Sequence, residues 1–342
     1  MPHLYGGFNM KTNRLYYKLI LLLALAAVSF GCEKKDLTNI DQLDDVLFVH
    51  ATYTINFNSA WDNEKTPYLN VASDYNVRYT LEFWTMDDNG NKDKLVVRKQ
   101  VIGSALAEGS NSQVVKVDLP GKKLKALVWA DLVKKGETSN SFFDVSDLTQ
   151  VKMLSIGFNK DKDAFSNAQD IDYTVYAKDI KDVDVTESIT LLRPLACYNV
   201  VANDYEKYIT EKGNNAPLPA FTNIAYQLWI PTQYNAFTQT PQGATTALSY
   251  KYTSGPLSGE LYPLASDVIF VGTADADFQY YNFIAAVYDA NSVLIATSAN
   301  VEAKILRNKL TYIYGPFITT SNIGTSGIDD SFDDHIDVVI PD

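Results

Sequence analysis

Tyr75-Asn76-Val77-Arg78-Tyr79-Thr80-Leu81-Glu82-Phe83-Trp84-Thr85-Met86 is the stretch that decides the fold class. Val77, Tyr79, Leu81 and Phe83 fall on every second position, with Arg78, Thr80 and Glu82 between them. A period of two sends alternate side chains to opposite faces of a strand, and Val, Tyr and Phe suit such a pleated surface. The run ends at Asp87-Asp88-Asn89-Gly90, where Asn-Gly accepts the positive φ of a tight hairpin turn. Residues 95–101 then return as a second strand.

Working outward, residues 46–57 alternate through Phe48, Tyr53, Ile55 and Phe57. Residues 113–119 and 123–133 form two more strand-like runs, separated by the turn dipeptide Pro120-Gly121. The pattern loosens into turns or short helix over 142–165 and resumes at 171–177 and 188–192. A Pro- and Asn-rich segment, 213–219, reads as a long exposed loop. A second strand series follows at 224–230, 247–253, 268–272, 280–289 and 293–300, then a long last strand over 304–319 and a final one at 336–340. Short strands separated by turns predict an all-β fold of antiparallel sandwiches, not βαβ units. Arg193-Pro194 marks the boundary between two tandem β-sandwich domains, residues 45–193 and 194–342, because proline cannot donate within a ladder.

Composition agrees. Of 342 residues 46% are hydrophobic, too many for intrinsic disorder. The 22 Tyr and 16 Phe favour strands. A net charge of -12 excludes a nucleic-acid binder, which needs a basic face. Two Cys and three His leave no material for a disulfide scaffold or a His/Cys metal cluster.

The N-terminus reads as an address. Lys11, Arg14 and Lys18 precede a ten-residue apolar run, residues 19–28, too short to span a bilayer and typical of a signal-peptide core. Ser29-Phe30-Gly31-Cys32 resembles the lipobox of bacterial lipoproteins, departing from it at Ser29, where an aliphatic residue is usual. The resemblance implies that residues 1–31 are removed, that Cys32 is lipidated, and that the protein is anchored in the outer membrane facing the cell surface. Met10 serves as well as Met1 for a start, since residues 1–9 add nothing to the signal. Residues 32–44 form a tether whose Glu33-Lys34-Lys35-Asp36 is similar to surface-export segments of Bacteroidota lipoproteins.

A search for chemistry finds little. Gly-x-Ser-x-Gly, His-Glu-x-x-His and a phosphate-cradling glycine loop are all missing, and beyond residue 31 only His50 and His335 remain. No catalytic residue and no cofactor is therefore expected. Cys197, within Leu195-Ala196-Cys197-Tyr198, reads as a core residue rather than a nucleophile. Asn159, Asp161, Asp163 and Asp170 place oxygen donors at calcium-loop spacing. Ala164 replaces the turn glycine, however, Asp170 replaces the bidentate Glu, and Lys160 and Lys162 oppose a cation, so the segment reads as a solvated loop. Trp129 shares a face with Leu127 and reads as core; Arg193 reads as half of a buried or rim ion pair.

Several segments resemble the fimbrillin-type lipoproteins of Bacteroidota, which include pilus anchor and tip subunits. They are Ala126-Leu127-Val128-Trp129-Ala130-Asp131, Phe142-Phe143-Asp144-Val145-Ser146-Asp147-Leu148, Asp163-Ala164-Phe165, Leu192-Arg193-Pro194-Leu195-Ala196, and Leu306-Arg307-Asn308-Lys309-Leu310-Thr311-Tyr312-Ile313-Tyr314-Gly315. The resemblance implies two transthyretin-like sandwiches, other fimbrillin-like subunits as partners through strand donation, and a structural or adhesive role as pilus anchor or accessory subunit. Polymerising members of that family lose an N-terminal strand after cleavage at an Arg. Here the first Arg after Cys32 is Arg78, inside a predicted strand, which points to a retained, anchored subunit. The alternative from the residues themselves is a surface glycan-binding lipoprotein of a nutrient-uptake system, with Trp61, Trp84 and Trp229 as stacking platforms.

Overall fold

The structure is a computed structural model that describes residues 48–60, 74–177 apart from 88, 108 and 160, 183–319 apart from 260 and 273–278, and the strands 327–328 and 336–339. All of these lie in one compact unit, Leu43–Asp342. The proposed signal, lipidation site and tether, together with Trp61 and His335, lie outside the described residues.

The chain opens with β1 (Phe48–Asn58), β2 (Tyr75–Met86), β3 (Lys92–Ile102), β4 (Ser110–Pro120) and β5 (Lys123–Lys134). Two short strands, β6 (Phe143–Asp144) and β7 (Val151–Met153), precede β8 (Ala164–Asp172) and β9 (Val183–Thr190). Then come β10 (Leu195–Ala202), the helix α1 (Tyr205–Lys212), β11 (Phe221–Tyr226), β12 (Ile230–Asn235), β13 (Thr240–Thr245) and β14 (Ser249–Thr253). The chain closes with β15 (Tyr262–Phe270), β16 (Gln279–Tyr288), β17 (Leu294–Thr297), β18 (Val301–Ile305), β19 (Leu310–Gly315), β20 (Gly327–Ile328) and β21 (Ile336–Val339).

These strands make five sheets, ordered β4-β1-β9, β3-β2-β5-β8, β13-β12-β7-β6, β14-β11-β16-β17 with β18 also on β16, and β15-β10-β19-β21-β20. The expected all-β sandwich fold is what the structure has. Rings on β1 meet rings on β2 across the first core, Tyr53 to Phe83 at 5.4 Å and Phe57 to Tyr79 at 6.3 Å. Tyr198 of β10 stacks on Phe283 of β16 at 5.6 Å in the second. Pairing is antiparallel except at β1–β9, β10–β19 and β19–β21. Parallel neighbours cannot be joined by a tight turn, so β9 and β19 reach their places only after long excursions of the chain.

β10 explains how the two cores fit together. Its odd residues Leu195 and Cys197 join the core of Val49, Leu81 and Trp129, whereas its even residues Ala196, Tyr198 and Val200 join the core of Phe283 and Ile305. β15 divides likewise, with Val268 and Phe270 on one side and Leu264 and Ile269 on the other. Strands buried on both faces lose the polar alternation that marks a half-exposed strand, which is why Leu195-Ala196-Cys197-Tyr198 reads as a continuous apolar run.

The structure corrects four sequence expectations. The long strand over 304–319 is two strands, because Asn308 takes a left-handed φ of 56° and turns the chain, sending β18 and β19 to different sheets. Residues 171–177 are strand only to Asp172; the Asp172 carboxylate then accepts from the Thr174 N–H at 3.0 Å and starts a single helical turn, Thr174–Tyr176. Residues 268–272 are the end of β15, which begins at Tyr262. Helix α1 and the β12–β13 hairpin were unforeseen: α1 buries only Tyr208, and β12 carries Pro231, so neither shows a clean period.

Candidate functional site

The candidate sites start from three buried ionic pairs, Arg78–Asp131 between two strands and Arg193–Asp163 and Lys162–Asp267 through residues that flank strands or lie in them. Arg78 is 1% exposed in β2 and donates through Nε and Nη2 to both oxygens of Asp131 on β5, at 2.9 and 2.6 Å. The two residues face each other in register across the ladder. Asn140 and the Phe143 carbonyl accept two further guanidinium N–H groups at 2.7 and 3.2 Å. Burial raises the Asp131 carboxyl to about 6 against the opposing pull of Arg78. Arg78 is therefore enclosed by its partners within the sheet.

Arg193, two residues before β10, makes the second pair. It forks onto Asp163 at 2.7 and 2.8 Å, donates to the carbonyls of Ser59 and Ala60 at 2.6 and 3.1 Å, also bonds the Asn308 side chain, and lies over the Phe165 ring at 4.8 Å. Three segments far apart in the chain are thereby clasped by one guanidinium, whose planar fork of five donors suits this task.

The third is Lys162, fully buried, with its ammonium 3.5 Å from Asp267 and bonded to the carbonyls of Gly157 at 2.5 Å and Ser155 at 3.3 Å. Asp267 also accepts from the Tyr226 hydroxyl at 2.8 Å, which meets Tyr198 at 2.7 Å, which in turn meets Tyr250 at 3.0 Å. Burial raises the Asp267 carboxyl against the pull of Lys162, and the same burial, beside Asp267, holds all three phenols well above their ordinary value and protonated. Each of these groups is committed to neighbours in the core, so what the clusters do chemically is hold segments in place.

The calcium-spaced residues are not brought together. Asn159 accepts from the Asp161 N–H at 2.9 Å, Asp163 is engaged by Arg193, and Asp170 lies out on β8 opposite Lys125 at 3.3 Å. Among the described residues no group of three or more His, Cys, Asp or Glu is placed to hold a metal. Cys197 and Trp129 are fully buried, and Trp129 packs edge-on against Phe143 at 5.6 Å. Arg193 and Asp163 were singled out in the sequence separately; their pairing across 30 residues left no spacing signal. Lys162 and Asp267 are likewise joined only by the fold. Of the tryptophans proposed for stacking, Trp84 is capped by the Lys92 ammonium at 4.5 Å and bonded to Glu82 at 3.0 Å, whereas Trp229 stands 50% exposed.

The sheet edges differ sharply in how they meet solvent. Edge strand β3 carries Lys92, Asp93, Lys94, Arg98 and Lys99; β4 carries Lys116 and Asp118; β9 carries Asp184 and Glu187; β14 carries Lys251; and β13 carries Pro241. Charge and proline on an edge discourage a further strand from pairing. β17 has neither; its first residue Leu294 is 51% exposed, and Val293 just before it 59%. Among the described residues it is bonded on one side only, to β16.

A model described as a family of unknown function (DUF6562) matches residues 43–341. No curated protein matches the chain. Among solved structures, it is similar to a candidate polysaccharide-binding protein of Bacteroides thetaiotaomicron, at 12% identity over 73% of this chain and 79% of that one, with a TM-score of 0.41. It is similar also to a candidate adhesin of Bacteroides ovatus, at 10% identity over 91% and 98% with a TM-score of 0.42. A third is the fimbrial anchor protein Mfa2 of Porphyromonas gingivalis, at 10% identity over 72% and 81% with a TM-score of 0.37. At such scores these likenesses carry neither a site nor an activity across.

Proposed function

The chain belongs to the DUF6562 family, and from that premise we propose that it is a fimbrillin-like structural or adhesion protein of the cell surface. In this reading it is lipid-anchored through Cys32, serves as a pilus anchor or accessory subunit, and consists of two sandwiches meeting at Arg193-Pro194. It joins neighbouring subunits by strand donation.

The observation that carries the reading is β17, an uncharged, aliphatic edge strand, whereas the edges β3, β4, β9, β13 and β14 carry charge or proline. Two features are in keeping with a subunit that stays whole. β1 is the middle strand of its sheet, with Val49, Tyr53, Ile55 and Phe57 in the core. Arg78 is locked against Asp131, out of reach of a protease. The short apolar run and the lipobox-like Ser29-Phe30-Gly31-Cys32 supply the anchor.

The test is to recover the intact protein from native membranes and compare boiled with unboiled samples by electrophoresis and mass spectrometry. A heat-labile ladder containing other fimbrillin-like chains is the expected result. Recovery as a lone monomer, or in the soluble fraction, overturns the reading.

A further inference from the structure

A second surface feature lies away from β17. The start of β3, the turn after β6, and the β12–β13 hairpin enclose a groove of 480 Å³, within the range of small-ligand sites of about 300–1,000 Å³. Its wall is unusual in composition. Gln150, Gln233 and Gln242 line it together with Asn91, Asn235 and Thr238, and Phe237 supplies an aromatic ring. The only charged group among its described lining residues is Lys92, whose ammonium donates to Thr149 at 2.9 Å and sits over Trp84.

The amides are not used up by the fold. Gln242 donates one N–H to the Thr149 carbonyl at 2.8 Å, leaving its oxygen to the groove, and Asn235 spends its oxygen on the Phe237 and Thr238 N–H groups, leaving its NH₂. Gln233 is half-buried, and its side chain passes so close to Gly243 that a Cβ there would sit 2.7 Å from its Cγ. Gly243 itself has a positive φ of 70°. The hairpin is shaped around that glutamine. One side of the Phe237 ring is covered by the Lys125 ammonium at 4.8 Å; the ring still forms part of the groove wall.

We propose that this groove binds a neutral oligosaccharide. A primary amide offers a paired donor and acceptor, which matches vicinal hydroxyls, each itself both donor and acceptor. The apolar surface of an aromatic ring suits the C–H face of a pyranose. Lys92 is the one cation among the described lining residues, held by Thr149 and Trp84, and the net charge of the whole protein repels a sulfated or sialylated chain. The site does not depend on pilus assembly, and it is not formed by the exposed Trp229.

The full chain in detergent would be screened by calorimetry against neutral gluco-, manno-, galacto- and xylo-oligosaccharides, with sialylated and sulfated oligosaccharides beside them. At least one neutral series is expected to bind, with affinity falling tenfold or more in Gln150→Ala and Gln233→Ala and unchanged in Trp229→Ala. Both glutamines have side chains outside the core, so unaltered thermal unfolding of the variants shows that folding is not what was lost. Binding confined to the acidic sugars, no binding to any neutral series, or binding insensitive to both glutamine variants each overturns the proposal.

Discussion

At the scale of single residues, Arg193 ties together segments far apart in the chain. Its guanidinium holds Asp163, two carbonyls of the segment after β1, and Asn308. Truncating one member of a buried ion pair strands the other charge in a low-dielectric interior, at a cost of about 3–5 kcal/mol. Arg193→Ala is therefore expected to lose about that much in denaturant unfolding. Arg193→Lys is expected to recover little, because an ammonium cannot fork onto both Asp163 oxygens while reaching the carbonyls. A loss below about 1 kcal/mol in Arg193→Ala would mean that the clasp contributes no more than a surface pair. The sequence marks Arg193 as an ion-pair former and Asp163 as a candidate cation ligand, but it shows neither that they meet nor that Lys162 turns inward. Side chains next to each other in the chain, Lys162 and Asp163, reach partners in different places, and only tertiary placement selects those partners.

At the scale of elements, the edges are where function and fold compete. β17 pairs through its inner side alone, so a charge on its exposed face costs the monomer little, within about 0.5 kcal/mol. The same charge would oppose a partner strand laid alongside. Leu294→Lys is expected to keep the unfolding midpoint while abolishing the heat-labile ladder; a ladder that survives would move the partner edge elsewhere. Several elements were legible beforehand: β1, β2, β4 and β5 lie close to where the sequence places them. β4 alternates between core and solvent, and β2 keeps its period of two although both its faces are buried, because Arg78, Thr80 and Glu82 stay polar. Those that were not legible had their period masked, by burial on both faces in β15, by a non-glycine left-handed residue between β18 and β19, and by polar, proline-bearing sequence in β12.

At the scale of the whole molecule, acidity and burial act together. Burial raises the carboxyls of Glu82, Asp131, Asp204 and Asp267, Asp131 to about 6. A carboxyl easier to protonate in the folded chain than in the unfolded one gives its full stabilisation below its ordinary value of about 4 and loses it as pH rises through the folded value. Relief of self-repulsion from a net charge of -12 works in the same direction. Asp87, Asp144 and Asp172 are lowered, mainly by hydrogen bonds from Asn91, Ser146 and Thr174 respectively, and act oppositely, costing stability as pH falls past about 4. The thermal midpoint is thus expected to be higher at about pH 5 than at about pH 8 and to fall again below about pH 4. A midpoint that drops steadily from pH 8 to pH 5 would show that the buried carboxylates are net stabilising as anions.

What this chain's sequence determined by itself was the all-β class, most of the strands β1 to β5, the core positions of Trp129 and Cys197, and the paired character of Arg193. These follow from local rules, a period of two and the cost of burying charge alone, which need no knowledge of neighbours. The tertiary structure alone decided which carboxylate each buried cation holds, that β10 and β15 face two cores at once, that β9 and β19 pair in parallel, and that amides from three separate segments converge on one groove. Each of these depends on residues far apart in the chain meeting in space, and no local pattern records such a meeting.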